Sequence, residues 1–117
     1  LDVQTNASKP HVVSTLTGNL NSDVDTALAE AGLNRRVVAG ASGFMVLPRL
    51  VTGREVFLTC LKPIADYATA TCQHLSSREP PVSLPDVNIE QVWHPRTHED
   101  GLRKWIREQI KIILSEV

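Results

Sequence analysis

Short β-branched runs take turns with helix-spaced stretches from residue 11 onward, and this alternation constrains the fold more than any other feature of the chain. HVVSTL (11–16) predicts a strand, and the TGNLN that follows carries turn chemistry. In NSDVDTALAEAG, Ser22 and Asp25 make a capping box. Val24, Ala27, Leu28 and Ala31 then fall at helical spacing, and Gly32 supplies the stop. RVVAGA (36–41) predicts a second, buried strand. A second helix is expected to start at Ser42 and to carry Phe44, Met45, Leu47, Leu50 and Val51. Pro48 removes one backbone donor from it, so it should be short or kinked, closing at Gly53. VFLTC (56–60) predicts a third strand and LKPIADYATATCQ a third helix, with Pro63 in its first turn.

SSREPPVSLPDV (76–87) is too rich in proline for a regular element and is expected to be an extended connector. NIEQVW (88–93) alternates as a fourth strand, and a last helix should cover 98–115. The order β-α-β-α-β-α, connector, β-α predicts the α/β class: a mainly parallel sheet with helices packed on it. Val24, Leu28, Leu47 and Leu50 are expected to cover the sheet.

The stretch QVWHPRTHEDGLRKWIR (91–107) concentrates the chemistry-bearing side chains. A metal would need His94 and His98 on one helical face. Pro95 lies between them, and a Thr97–Asp100 capping box would start the helix at Thr97 and leave His94 in the strand, so no metal site is predicted. The pattern explains itself as a capped helix start. Leu102, Trp105, Ile106, Gln109, Ile110 and Ile113 mark one face, and Glu99–Arg103 and Asp100–Lys104 are acid-before-base pairs at i, i+4. Cys60 or Cys72 with His74 or His94 would be an imaginable thiol site, but no local signature supports one, and there is no G-x-S-x-G elbow. His11 and His74 are expected at the surface.

Composition excludes several classes. At 117 residues the chain is one domain's worth or less, and 42% hydrophobic with 21% charged residues is ordinary for a folded soluble protein. A net charge of −1 gives no field that would hold DNA or an anionic membrane by itself. No apolar run approaches the ~20 residues of a membrane span, and LDVQTNASKPH is not a signal peptide. Cys60 and Cys72 fit no zinc spacing and are expected to be reduced thiols, which places the protein in the cytoplasm. A start at Leu1 without an initiator methionine suggests a truncated or processed product.

HVVSTLTGNLNSDVDTALAEAGLNRRV, GFMVLPRLVTGREVFLTCLKPIA and LPDVNIEQVWHPRTHEDGLRKWIREQI, in that order, resemble the effector-binding domain of LysR-type transcriptional regulators, in the branch of nodulation and aromatic-catabolism regulators. The tail of that branch, W-H followed by D-x-x-x-x-W-L-R, stands here as Trp93-His94, Asp100 and Trp105-Ile106-Arg107. The resemblance implies a periplasmic-binding-protein-like (type 2) fold of two α/β subdomains with a small-molecule effector between them. It assigns 1–9 to an inbound crossing, 10–75 to the second subdomain, 76–87 to the return linker, and 88–117 to the C-terminal strand and helix of the first subdomain. It also implies no cofactor, a homo-oligomer, and DNA contact only through a missing N-terminal helix-turn-helix. The face of Trp105, Ile106 and Ile110 would then pack on a second chain or on a segment not represented. Two places depart from the family's pattern: the proline of its T-L-P is displaced to Pro63, and Gly43 stands where a larger polar residue often precedes the aromatic. Both leave the effector unidentified.

In open α/β folds ligands bind beyond the carboxyl ends of the strands. That rule selects Thr15 and Thr17 after the first strand, Ser42, Gly43 and Phe44 at the second helix, and Thr59 after the third strand. Gln91 joins them from the return crossing. The hydroxyls and the amides after Ser42 would suit a carboxylate or phenolate, and Phe44 an aromatic ring. Each also has a plain structural role available: Ser42 as an N-cap, Phe44 as core, Thr15 as a strand residue with a satisfied hydroxyl. The leading expectation is an effector-sensing domain that catalyses nothing. A small α/β enzyme with a Cys/His site and a dimerisation-only module are the alternatives.

Overall fold

The computed structural model of the chain describes residues 1–116. They fall into two compact units, 1–85 and 86–117. The first contains α1 (Val3–Ser8), β1 (Pro10–Ser14), α2 (Asp23–Glu30), β2 (Arg36–Ala41), α3 (Leu47–Val51), β3 (Phe57–Leu58) and α4 (Lys62–Thr71). The second contains a 3₁₀ turn, Pro95–Thr97, and α5 (Gly101–Ser115).

The three strands form one sheet in the order β2-β1-β3, and both pairings are parallel. The steps β1→β2 and β2→β3 run in opposite directions across the sheet. With the right-handed crossovers that parallel sheets favour, those steps are expected to put α2 and α3 on opposite faces. Burial agrees. His11, Val12 and Val13 are consecutive and all buried, as expected for a central strand covered on both sides. At the edge, β2 instead alternates, with Val37, Ala39 and Ala41 half-buried and Arg36, Val38 and Gly40 exposed. Val24, Leu28, Leu47 and Ala68 complete the core, and Leu28 and Leu47 are fully buried. Leu50, expected among them, is only half-buried.

The α2 helix is written locally. Ser22 Oγ accepts from Val24 N at 3.3 Å, and the Asp25 carboxylate accepts from Ser22 N at 2.7 Å. At the other end Gly32, with φ of 72°, lets its own N–H reach Ala29 O and that of Leu33 reach Leu28 O, both at 2.9 Å. That is a Schellman closure.

Several boundaries differ from the sequence expectation. The first strand stops at Ser14 rather than 16, and the third is two residues rather than five because only Phe57 and Leu58 find partners on β1. The second helix does not start at Ser42. A helix from there would need the absent N–H of Pro48 to reach Phe44 O, so it begins at Leu47, where proline sits harmlessly in the first turn. NIEQVW is not a strand: among the described residues the second unit holds no second strand to pair with it, and a strand has no ladder alone. The Thr97 capping box does not form. Thr97 Oγ1 donates to His94 O at 3.0 Å, and Asp100 caps α5 by accepting from Arg103 N at 2.9 Å. With its carboxylate so engaged, Asp100 forms no ion pair with Lys104, nor Glu99 with Arg103, among the described residues. His11 is not at the surface: it is fully buried.

Candidate functional site

All three strands point the same way, so their carboxyl ends share one edge of the sheet. Thr15 follows β1, Ser42 follows β2 and Thr59 follows β3. Thr15 N donates to Ala41 O at 2.9 Å, which extends the β1–β2 ladder one residue past the strand. The third strand ends opposite Val12, below the last β1–β2 rung at Ser14 and Ala41, so Thr59 sits lower on that edge. Gly40 makes room for the loop after β1. A Cβ there would stand 3.2 Å from Leu20 Cδ2 and 3.3 Å from Thr15 Cγ2.

The hydroxyls at this edge differ in availability. Thr17 Oγ1 accepts from Asn19 N at 3.3 Å, so its oxygen helps shape the turn while its O–H stays free to donate. Ser42 caps no helix; it is exposed and makes no hydrogen bond among the described residues. Gly43 is equally open, with nothing within 4 Å of where a Cβ would stand. Because residues 44–46 form a turn and the helix begins only at Leu47, Ser42 lacks the helix dipole that a start there would have supplied. Phe44 is half-buried and lines a groove of ≈ 180 Å³ with Met45, Pro48, Ile64 and Tyr67, so its ring leans toward α4. Thr59 is half-buried beside Cys60, whose thiol burial pushes up from its ordinary pKa. A raised value is the opposite of what a thiolate nucleophile needs.

Sequence reasoning missed the apolar neighbours of these hydroxyls. Leu16, Met45 and Val46 flank them and are 88%, 65% and 46% exposed. A readable signal existed: each lies within five residues of a strand end, where ligands of open α/β folds bind.

In the second unit, Gln91 is held locally, its Nε2 donating to Arg107 O at 3.1 Å. Arg107 lies with Cζ 4.4 Å from the Trp93 ring centroid, and its Nη2 donates to His98 O at 2.8 Å. The Trp93 indole N–H donates to His98 Nδ1 at 3.1 Å, and His94 Nδ1 accepts from Arg96 N at 3.1 Å. Both histidines therefore spend one ring nitrogen on the turn, and no group of three or more His, Cys, Asp or Glu gathers as a metal cage among the described residues. The cluster is a joint.

No protein-family model matches the chain. A curated relative, the HTH-type transcriptional activator NahR of Pseudomonas putida, is 26% identical over 98 residues, covering 84% of this chain and 32% of that protein. The crystal structure of the regulatory domain of MexT, a transcriptional activator in Pseudomonas aeruginosa, superposes with a TM-score of 0.73 at 24% identity, over 96% of this chain and 56% of that one. The chain is thus similar in sequence to part of a transcriptional activator and in fold to the regulatory domain of another. The likeness shows a shared α/β fold, to which the parallel β2-β1-β3 sheet and its connecting helices belong. The chain spans about a third of the length of the curated relative it matches. No helix among the described residues is long and apolar enough to cross a membrane.

Proposed function

We propose that the chain is the small-molecule effector-sensing part of a LysR-type transcriptional regulator and has no catalytic role. Thr15, Thr17, Ser42, Gly43, Phe44 and Thr59 supply one wall of the effector cleft, and Gln91 belongs to the return crossing. Residues 1–9 end the inbound crossing, 10–75 are the second subdomain, 76–87 the return linker, and 88–117 the last part of the first subdomain. The observation that carries this is the edge itself: an unpartnered Ser42 hydroxyl and a donor-competent Thr17 stand among exposed Leu16, Met45 and Val46 at the carboxyl ends of a parallel sheet. Hydroxyl donors close in the chain to exposed apolar side chains suit a small aromatic or carboxylate-bearing molecule. Effector binding would favour one arrangement of the two subdomains over another, which requires different affinity for each. DNA contact belongs to a helix-turn-helix elsewhere in such a regulator, a cytoplasmic homo-oligomer.

Calorimetric titration of the chain with benzoate, as a minimal aromatic carboxylate, tests the wall. Saturable binding weakened about tenfold by Ser42→Ala, roughly one lost charge-assisted hydrogen bond, is the expected result. Binding unchanged in Ser42→Ala and in Thr17→Val would overturn the assignment.

A second proposal rests on α5, where Leu102, Trp105, Ile106, Ile110 and Ile113 are 69%, 58%, 42%, 37% and 61% exposed. So long an apolar stripe belongs against protein. We assign it to packing within the assembled regulator. Sedimentation showing a monomer with a stable terminal helix counts against a role for it in self-association.

A further inference from the structure

His11 has no part in the effector wall, yet it is the most completely buried polar side chain of the first unit. It sits at the amino end of β1, the end opposite the candidate site. Its Nε2 lies 2.8 Å from the backbone carbonyl of Asn6, inside α1. A carbonyl can only accept, so the ring must carry its proton on Nε2, and Nδ1 is left as a bare acceptor. That atom is buried and has no hydrogen-bond partner among the described residues. Phe57 of β3 closes the other side, edge to face, with ring centroids 5.6 Å apart. Asn6 is itself 7% exposed, and α1 is only six residues long. A helix that short does not stand alone, so its order derives from this docking and its Asp2 cap.

We infer that His11 is a pH-sensitive latch: its neutral ring holds α1 on the sheet, and protonation at Nδ1 releases that helix. The latch is independent of the effector reading. A second proton would place a cation against Phe57 with no acceptor at Nδ1. The charged groups that bear on the ring are Arg35, which opposes a further positive charge, and Asp25, which favours one. Asp25 is already engaged by Arg35 through two hydrogen bonds, which leaves little of its charge for the imidazole. Desolvation is the largest effect; it outweighs the Asn6 carbonyl bond, which favours the charged ring, and keeps the ring neutral below its ordinary range. Released, α1 exposes a histidine that binds one proton more than the docked form. The open fraction should therefore grow about tenfold per pH unit below ~6.5, until the docked ring itself titrates.

Hydrogen–deuterium exchange of the 117-residue chain, corrected for intrinsic rates, reads this directly. Between pH 7.5 and 5 the peptide covering residues 3–9 should lose protection with that slope, while peptides from α2 and α5 keep theirs. His11→Gln supplies the same N–H to Asn6 without titrating, and should leave protection of 3–9 independent of pH. Equal pH profiles in the two proteins, or loss of protection everywhere at once, would overturn the latch. Should His11→Gln fail to fold, the His11 ring resonances of the unaltered chain decide: titration tracking the loss of α1 protection supports the latch, and titration with α1 still protected refutes it.

Discussion

Arg35 grips Asp25 with two parallel hydrogen bonds, Nε to Oδ1 at 2.9 Å and Nη2 to Oδ2 at 2.8 Å, and its Nη2 also reaches Ser22 Oγ at 3.0 Å. The guanidinium is almost wholly covered, its side chain 1% exposed against 23% for Asp25. One residue before β2, Arg35 thus ties that strand to the first turn of α2. Arg35→Ala should cost about 2–4 kcal/mol, somewhat under the ~3–5 of a fully buried pair because Asp25 still meets water. Arg35→Lys should recover little, since an ammonium cannot reproduce the fork. Chemical denaturation of the two variants checks both.

Acid should weaken the first unit in two stages. The folded state of His11 binds its proton less readily than the unfolded chain, chiefly because burial disfavours the imidazolium. Stability is then flat above ~6.5 and falls below it, by at most ~1.4 kcal/mol per pH unit for one proton. Asp25 is depressed mainly by its Arg35 hydrogen bonds, so its contribution is complete above its ordinary value of 3.8 and lost as pH falls further. Denaturant midpoints measured from pH 8 to 3 should show both steps in the unaltered chain and only the lower one in His11→Gln.

Any side chain at Gly32 should cost stability. Its φ of 72° is the left-handed conformation that closes α2, and nothing crowds the position, so any cost is backbone strain. Gly32→Ala should destabilise by about 1 kcal/mol, and Gly32→Asn by less. Thermal melts of the pair would show the order.

Arg107 should control the 91–100 segment of the second unit. Its guanidinium lies on Trp93 and donates to Thr97 O at 3.4 Å and His98 O at 2.8 Å. Arg107→Ala removes these together, so Trp93 emission should shift to the red and iodide quenching should rise, with a loss of about 1–2 kcal/mol. Unchanged quenching would mean the segment is held by other contacts.

What could be read in advance was what the chain settles locally. The capping box at Ser22 and Asp25 and the stop at Gly32 define α2 within a dozen residues, and RVVAGA became β2 with the boundaries expected of it. Features that depend on distant partners were not legible. β3 shrinks to two residues because pairing with β1 decides its length, and 88–93 cannot be a strand without a neighbour. Helix α1 went unread because Asp2-Val3-Gln4-Thr5 has a cap but no apolar period. His11 looked like a surface residue because the elements that cover it, α1 and Phe57 of β3, are not visible from its own segment. Strand-end positions of the candidate wall followed from alternation alone, whereas the availability of each hydroxyl did not: Pro48 delays α3 and so frees Ser42 from capping. The direction in which Phe44 leans needed α4 in place.

Amide chemical-shift mapping of the chain during titration with benzoate bears most directly on effector sensing at the strand-end edge. Saturable shifts confined to residues 15–17, 42–44 and 59, abolished by Ser42→Ala, are the predicted result. Saturable shifts centred elsewhere, or none at concentrations where an aromatic carboxylate binds any formed pocket, would contradict it.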